Sequence, residues 1–389
     1  MKNNWQIKKL DDVCDFENGD RGSNYPSKSF RTVSGIPFIN AGHLKDEDID
    51  FCEMDYIPRE RYDLLGNGKI KRNDILFCLR GSLGKFACVG ELNEGAIASS
   101  LVILRTRDGL ELKYLLAYLG SQLCVDMIRK YSNGAAQPNL SATSLKKFTI
   151  PFPPLPEQKR IAMVLDEVFE GVAKAKANAE KNLANARELF ESYLQEIFNK
   201  PQITQIKKGW KKKKLGEVCE ELSAGGDVPE NNFSKIKTDK FNIPIFANGI
   251  TDKGLYGYTD IARVTKPSVT ISARGTIGYT EIRKESFYPI VRLIVLVPNK
   301  DLIGLSFFKY AASSIDFSNT GVSIPQLTVP MVREYEIPLP PLLEQESIVA
   351  KLDALSDQTK KLEAIYQQKL ADFEELKKSV LQKAFNGEL

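Results

Sequence analysis

The chain has 389 residues, of which 42% are hydrophobic and 27% charged, with a formal net charge of +4. This length allows more than one domain, and so small a net charge does not by itself demand a polyanionic partner. The six cysteines include no Cys-x-x-Cys pair and there is one histidine, which argues against a disulfide framework and a zinc site.

The N-terminus and the apolar runs exclude two further classes of protein. Residues 1–5 lead into a Lys-Lys-Leu-Asp-Asp stretch, which is not a signal peptide. The longest apolar runs, such as 291–297 with Arg292 inside it, are too short to span a bilayer. We therefore expect a cytoplasmic protein.

The first predicted globular domain covers residues 1–155. Its short β-rich runs are separated by Gly, Pro and Asn, as is typical of a small α+β domain on a twisted sheet. The runs are 36–40, 74–79 and 98–104, and a helix is predicted over 114–129.

A glycine-rich loop is the most pointed candidate for binding in this domain. Residues 80–84 read Arg-Gly-Ser-Leu-Gly after an apolar strand. The two glycines allow the backbone to approach a partner closely, and Arg80, Ser82 and Lys85 carry groups that contact bases or phosphates. The alternative is a tight turn whose arginine is structural.

Asn40 and His43 follow the Ile-Pro-Phe strand. Asparagine reads adenine well, but Asn with Gly is also ordinary turn chemistry, and the sequence leaves both interpretations open. We expect His43 at the surface or in contact with DNA rather than as a general base. Arg59 and Arg61 are weaker candidates of the same kind.

A proline-rich joint then leads into a long helix predicted over 156–200. Residues 150–158 read Ile-Pro-Phe-Pro-Pro-Leu-Pro-Glu-Gln. Prolines cannot lie inside a helix, so this joint is extended, and Leu-Pro-Glu-Gln begins the first helical turn. Apolar residues recur afterwards at steps of three and four, which favours a coiled coil.

The second predicted globular domain, residues 201–342, repeats this plan, with β-rich runs predicted over 269–272 and 290–297 and a helix over 305–312. Lysines 207, 208 and 211–214 flank Trp210, and they indicate either a soluble linker or attraction of phosphates. An Arg-Gly-Thr-Ile-Gly loop at 274–278 makes Arg274 and Thr276 candidates. Asn248 is the counterpart of Asn40. The other candidates in this domain are Lys211, Lys253, Tyr256, Tyr258, Arg263 and Lys266.

A second joint at 337–345 reads Ile-Pro-Leu-Pro-Pro-Leu-Leu-Glu-Gln and leads into a helix predicted over 343–389. The two joints and their helices match at a constant shift of 187 residues, whereas the Arg-Gly loops match at 194. The chain is therefore an internal duplication with a strict helical register. We expect the two helices to pair as an antiparallel coiled coil. The alternative is two amphipathic helices, each packed on its own domain.

No catalytic motif is present in the sequence. There is no Gly-x-x-x-x-Gly-Lys-Ser/Thr loop, no Gly-x-Ser-x-Gly elbow, no His-Glu-x-x-His and no Asn/Asp-Pro-Pro-Tyr/Phe. The paired carboxylates are most simply solvated loops. We expect no active site, no metal site and no cofactor in this chain.

The paired Ile-Pro-x-Pro-Pro-Leu-x-Glu-Gln joints and the ending Gln-Lys-Ala-Phe-Asn-Gly-Glu-Leu resemble the specificity (S) subunits of Type I restriction-modification systems. The resemblance covers the whole chain. It implies two target recognition domains separated by two long antiparallel helices with pseudo-twofold symmetry. Each domain would read one half of a split double-stranded DNA site, and the helices would set the gap.

The resemblance also implies partners. Two modification (methyltransferase) subunits would bring S-adenosylmethionine and methylate adenine, and restriction subunits would bring ATP and Mg. We expect the methyltransferases near the helix starts, at Glu157, Gln158, Glu344 and Gln345. Two other interpretations are a fused restriction-modification enzyme, disfavoured by the missing motifs, and a coiled-coil adaptor that binds only proteins.

Overall fold

The computed structural model describes residues 5–132, 139–198, 209–317 and 326–389. The chain divides into two compact units. The first unit contains Met1–Ala179 together with Gln368–Leu389, and the second unit contains Glu180–Gln367. Each unit therefore takes part of both long helices.

The elements of the first globular part are short, apart from one long helix. Its strands are β1 (Gln6–Lys9), β2 (Cys14–Asn18), β3 (Ile36–Ile39), β4 (Leu44–Lys45), β5 (Asp48–Ile49), β6 (Tyr56–Ile57), β7 (Ile75–Cys78), β8 (Phe86–Cys88), β9 (Ala96–Ile97), β10 (Leu101–Thr106) and β11 (Thr149–Phe152). Its helices are α1 (Leu10–Val13), α2 (Arg59–Asp63), α3 (Leu112–Leu119), α4 (Gln122–Tyr131), α5 (Ala142–Leu145) and α6 (Leu155–Phe198).

The second globular part follows a similar order with fewer described elements. Its strands are β12 (Lys211–Lys214), β13 (Cys219–Ala224), β14 (Ile243–Phe246), β15 (Leu255–Thr259), β16 (Ser268–Ile271), β17 (Thr280–Arg283), β18 (Tyr288–Pro289), β19 (Ile294–Pro298) and β20 (Glu336–Leu339). Its helices are α7 (Leu215–Val218), α8 (Leu305–Ser313), α9 (Val329–Glu334) and α10 (Leu342–Asn386).

The sheets repeat between the units. A four-stranded antiparallel sheet has the order β2-β10-β7-β8 in the first unit and β13-β19-β16-β17 in the second. A smaller sheet has the order β6-β3-β9 or β15-β14-β18, with one parallel pair in each. The central strands β7 and β16 are fully buried; β7 is apolar throughout, whereas β16 alternates Ser268 and Thr270 with Val269 and Ile271. The predicted α+β class and internal repeat are confirmed.

The strand that begins each proline-rich joint is paired, although prolines are rare in sheets. β11 pairs with β1, and β20 pairs with β12, in two-stranded antiparallel ribbons. A strand that has only one partner tolerates proline, because the missing N–H faces away from the pairing. The joint is thus anchored to the first strand of its own repeat.

The long helices pair antiparallel within each unit. In the first unit Lys176 Nζ lies 2.8 Å from Glu374 Oε1, and Arg160 donates to the backbone oxygen of Leu389 (2.7 Å). In the second unit Arg187 Nε lies 2.8 Å from Glu363 Oε1. The residue numbers of the paired residues increase along α6 while they decrease along α10, which confirms the predicted antiparallel pairing.

An aromatic residue at the end of each long helix enters a globular core. Phe385 of α10 packs on Tyr114 of α3 with ring centroids 5.2 Å apart, in the core of the first unit. Phe198 of α6 packs on Phe307 of α8 at 5.3 Å, in the core of the second unit. Each globular core is therefore completed by the helix of the other repeat.

The structure corrects three boundaries. The strand predicted over 98–104 begins only at Leu101, and the strand predicted over 290–297 begins only at Ile294. A turn precedes each of them, closed by hydrogen bonds from Leu101 N–H to Ala98 O and from Leu293 N–H to Ile290 O (3.0 Å each). The helix predicted over 114–129 is two helices, α3 and α4, because Ser121 caps α4 through its side chain.

Candidate nucleic-acid interface

The Arg-Gly loop of the first unit connects β7 to β8. Gly84 donates its backbone N–H to Cys78 O (3.0 Å), and Lys85 donates to Ser82 O (3.1 Å). Gly81 and Gly84 have φ angles of +80° and +86°. Side-chain-bearing residues rarely adopt such angles, so the glycines are required by the shape of the turn.

The Arg-Gly loop of the second unit connects β16 to β17 with the same geometry. Gly278 donates to Ser272 O (3.0 Å), Tyr279 donates to Thr276 O (3.1 Å), and Gly275 and Gly278 have φ angles of +71° and +84°. The two loops therefore share one backbone shape with different side chains. This is the arrangement expected of a duplicated scaffold that presents two different surfaces.

The side chains of the first loop project into solvent. Arg80, Ser82 and Lys85 are exposed, and within the described part of the chain the charged ends of Arg80 and Lys85 make no hydrogen bond or ion pair. An arginine without an intramolecular partner keeps its five donors available to a ligand. The first loop thus presents two unneutralised cations.

The second loop differs in the state of its arginine. Arg274 is exposed but donates to Gln326 Oε1 at 2.6 Å. Thr276 Oγ1 is buried and has no hydrogen-bond partner among the residues that the structure describes. Asn248 links this loop to its surroundings, since its Oδ1 accepts from Ala273 N–H (2.8 Å) and its Nδ2 donates to Val291 O (2.7 Å).

Asn40 and His43 form a turn. Asn40 Oδ1 accepts from Gly42 N–H (2.7 Å), its Nδ2 donates to Asp55 (3.3 Å), and its backbone N–H donates to His43 Nδ1 (3.1 Å). His43 is only 7% exposed, so the expectation of a surface histidine was wrong. The amides of Asn40 and Asn248 are both engaged by the protein, which favours the turn interpretation for each.

The two arginines of α2 are engaged within the first unit. Arg59 makes two hydrogen bonds with Glu94 (2.9 and 2.6 Å), which raise the pKa of its guanidinium. Arg61 lies over the ring of Phe30 (3.9 Å to the centroid) and donates to Ser23 O (3.3 Å). Arg61 thus holds the loop that contains Phe30 in place.

The remaining candidates of the second unit lie on strand β15 and on the segments around it. Lys253 has a φ of +53° and its Nζ lies 3.5 Å from Glu281. The ring of Tyr256 lies under Lys235 Nζ at 3.3 Å from the centroid. Arg263 is exposed, and its Nη1 lies 2.8 Å from the position that a Cβ on Gly226 would take. Lys266 pairs with Glu220 (2.9 Å) and Tyr258 pairs through its backbone with Ser234.

A buried cation that the sequence reading missed lies near Lys253. Arg283 at the end of β17 is buried, its Nη2 donates to Lys253 O (2.6 Å), and its guanidinium lies 3.6 Å from the Phe246 ring centroid. Burial lowers the pKa of Arg283 to about 10, because the charged form loses hydration. It still carries its charge at neutral pH.

The part of the lysine run that the structure describes is a strand, which corrects the interpretation of this stretch as a linker. Lys211–Lys214 form β12, and three of these lysines pair with glutamates: Lys212 with Glu336, Lys213 with Glu217 (2.7 Å) and Lys214 with Glu334 (2.5 Å). These pairs neutralise three of the four lysines of β12, and attraction of phosphates by the run stays a prediction. Lys211 is exposed, and lysines 207 and 208 lie outside the described residues.

The predicted partner surface at Gln158 and Gln345 was wrong, because both glutamines are buried, at 0% and 1% exposure. Gln158 accepts from Glu111 N–H (2.9 Å) and donates to Gly109 O and Pro153 O (3.0 and 2.8 Å). Gln345 makes the equivalent three bonds with Gly304, Leu302 and Pro340, each at 2.9 Å. We call these two sets of bonds the glutamine clamps.

The neighbouring glutamates are also engaged within the protein. Glu157 accepts two hydrogen bonds from Arg160 (2.8 and 2.9 Å), and Glu344 Oε2 accepts from Trp210 Nε1 (2.9 Å). The exposed apolar residues at the helix starts are instead Leu155, Leu342 and Leu343, the last of them 83% exposed.

Two loops that no motif singled out resemble each other. Thr32 forms a bridge with Tyr56 at the edge of the first unit's small sheet, and Ser234 forms one with Tyr258 in the second. Beyond each bridge an aliphatic side chain stands in solvent: Val33 is 96% exposed and Ile236 is 74% exposed. Hydrophobic periodicity could not find them, because they belong to no helix or strand.

Among the described residues, His, Cys, Asp and Glu form no group of three or more able to hold a metal ion. None of the described helices combines the length and apolarity that a membrane crossing needs.

Comparison with known proteins agrees with the duplicated geometry. The family described as Type I restriction modification DNA specificity domain matches residues 2–182 and 207–371. A protein of Mycoplasma pneumoniae named as a type I specificity subunit is 30% identical over 348 residues, which cover 89% of this chain and 88% of that protein. A protein of Methanocaldococcus jannaschii named as a type I restriction enzyme specificity subunit is 25% identical over 413 residues, covering 99% and 93%.

Solved structures are similar in fold over the full length. A chain from a study of complex assembly and conformational transition of the type I R-M system has a TM-score of 0.85 at 21% identity, and the match covers 100% of this chain and 99% of that chain. The HsdS subunit from Thermoanaerobacter tengcongensis has a TM-score of 0.65 at 21% identity, covering 100% and 98%.

Proposed function

Because the chain belongs to the family of Type I restriction modification DNA specificity domains, we propose that it is the DNA sequence-recognition subunit of such a system. In this role it binds double-stranded DNA and reads a target made of two separate parts. It is not the catalyst: methyl transfer and cleavage belong to its partners.

The observation that carries this proposal is the pair of Arg-Gly loops. Each unit presents the same backbone turn, with glycines at the same two positions of positive φ, but with different side chains around the arginine. One backbone scaffold with two sets of side chains suits the reading of two unlike half-sites. The target would therefore be bipartite and asymmetric.

The partners follow from the proposed role. Two modification subunits would bring S-adenosylmethionine and methylate adenine, and restriction subunits would bring ATP and Mg. Since the glutamine clamps are buried, the docking surface is better placed on the exposed leucines at the helix starts, Leu155, Leu342 and Leu343. The related geometry of the two starts suits two copies of one partner.

The test is to sequence the methylated bases of the host genome with and without this chain. We expect methylation at a sequence with two defined halves and a fixed gap, and its loss when the chain is deleted. Unchanged methylation after deletion would refute a role in recognition. Methyl transfer to DNA by the purified chain alone, with S-adenosylmethionine, would refute a non-catalytic role.

Gel-shift experiments separate DNA recognition from a protein adaptor. The chain, assembled with its modification subunits, should bind duplexes carrying the methylated sequence far more tightly than random duplexes at the same salt concentration. Equal binding to both would indicate that the chain only holds proteins together.

A further inference from the structure

The loops that carry Val33 and Ile236 have a similar construction. Thr32 and Tyr56 exchange two backbone hydrogen bonds (2.9 and 3.3 Å), as do Ser234 and Tyr258 (2.8 Å each). The hydroxyl of each bridging residue also bonds to the backbone two residues onward. The Thr32 hydroxyl donates to Ser34 O (2.8 Å), and the Ser234 hydroxyl accepts from Ile236 N–H (3.1 Å). Each loop is therefore pinned to its sheet.

An isolated exposed aliphatic residue needs no explanation on a protein surface. Here, however, an exposed aliphatic side chain recurs just beyond the bridge in two units whose sequences differ, one residue after Thr32 and two residues after Ser234. Both side chains lie on loops that are pinned by hydrogen bonds, so neither is exposed merely because its loop is loose. A repeated, ordered and solvated aliphatic group indicates a contact that the isolated chain does not contain.

The surroundings of both residues are cationic and aromatic. In the first unit the Arg61 guanidinium lies 3.9 Å from the Phe30 ring centroid, and Lys28 is exposed on the same loop. In the second unit Lys235 lies over Tyr256, and Lys237 and Lys240 are exposed nearby. Such a surface is complementary to a phosphate backbone.

We propose that Val33 and Ile236 are specificity-determining residues that make apolar contacts to base edges, one in each half of the target. The flanking cations bring the loop to the phosphates, and the aliphatic group meets the apolar part of a base edge, of which the thymine methyl is the main example. This inference rests on the proposed function and adds to it the residues that read the bases.

The test is to change each residue in the complex with the modification subunits. Val33→Ala should relax the methylated sequence at one or two positions of one half, and Ile236→Ala should do so in the other half. Loss of the methyl and methylene groups that the DNA would cover predicts roughly tenfold weaker discrimination against the wrong base at those positions. Both residues are exposed, so the variants should fold normally, which circular dichroism checks.

Leu123→Ala and Ile261→Ala are matched controls, because each removes an exposed aliphatic side chain from another part of the same unit. They should leave the methylated sequence unchanged. If Val33→Ala and Ile236→Ala also leave it unchanged, or weaken binding equally on all sequences, the inference is overturned while the proposed function stands. If the unaltered complex recognises no bipartite sequence, the proposed function itself has failed.

Discussion

At the scale of single residues, Arg80 and Arg274 show that the duplicated loops share a backbone shape but differ in the contacts of their side chains. They occupy the same position in loops of one shape, yet Arg274 is held by Gln326 (2.6 Å) while Arg80 has no side-chain partner among the described residues. A held guanidinium is pre-organised, and a free one must be ordered on binding. We therefore expect the two arginines to contribute unequally to the free energy of DNA binding.

Replacing each arginine tests whether it reads a base or a phosphate. Arg80→Ala should relax one half of the target and Arg274→Ala the other, at about 1–3 kcal/mol each if the arginine contacts a base. The measurement is binding to a set of duplexes, each with one base pair changed. Weaker binding by the same factor on every duplex would instead indicate phosphate contacts.

Side-chain partners are what the sequence could not supply at this scale. The Arg-Gly-Ser and Arg-Gly-Thr motifs predicted two exposed loops, but nothing in the sequence paired Arg274 with Gln326, 52 residues away. Asn40 was equally compatible with base reading and with turn formation, and only its bonds to Gly42 and Asp55 favour the turn. Whether these loops meet DNA stays a prediction.

At the scale of elements, the turn geometry of the Arg-Gly loops can be tested by adding a methyl group. Gly84→Ala places a Cβ 2.8 Å from Ile128 Cδ1 at a φ of +86°, and Gly278→Ala places one 3.1 Å from Phe317 at +84°. Each should lower the free energy of unfolding by about 1–2 kcal/mol. Urea denaturation measures this change.

Gly171 is the matched control for these two glycines. It lies in the middle of α6, and an added Cβ would meet nothing within 4 Å. Gly171→Ala should therefore raise the free energy of unfolding by about 0.5–1 kcal/mol. Equal destabilisation by all three substitutions would contradict the role assigned to the loop glycines.

The glutamine clamps are the second test at this scale. Gln158→Ala and Gln345→Ala each remove three hydrogen bonds and leave a backbone N–H, of Glu111 or Gly304, without its acceptor. We expect a loss of about 1–3 kcal/mol in the free energy of unfolding. Gln368→Ala, which removes only an exposed bond to Asp372, should change it by less than about 0.5 kcal/mol.

The joints show how far sequence reasoning reaches for an element. Prolines followed by Leu-x-Glu-Gln predicted an extended segment and then a helix, and β11 with α6 and β20 with α10 confirm that order. The function of Gln158 was misread, because polar residues in a first helical turn are usually exposed. Its burial depends on the carbonyl groups of Gly109 and Pro153, whose position no local pattern reveals.

At the scale of the whole molecule, the constant spacing between the two repeats predicted more of the structure than any single motif did. A constant shift of 187 residues relates Phe198 to Phe385 and Gln158 to Gln345. The two members of each pair lie in different units, where they make equivalent contacts. The shift changes in the globular parts, where loops differ in length. Constancy in the helices indicates that their length is under constraint, as it is if they set the gap in the target.

Shortening both helices tests whether their length sets the gap in the target. Residues 178–184 of α6 and 366–372 of α10 are seven-residue stretches that lie, along the sequence, between the pairs of Lys176 with Glu374 and Arg187 with Glu363. Removing both stretches shortens each helix by about 10 Å, since each residue rises about 1.5 Å, and nearly preserves the facing of the side chains. This length corresponds to about three base pairs at roughly 3.4 Å each.

We expect the shortened protein, with its modification subunits, to methylate the same two half-sites with a gap about three base pairs smaller. Removing only 178–184 is the control, because it breaks the register between the helices and should abolish methylation or weaken assembly. Methylation of the original gap by the doubly shortened protein would show that the helices do not set it. Altered half-sites would show that recognition depends on helix length, because the loops that read them contain none of the deleted residues.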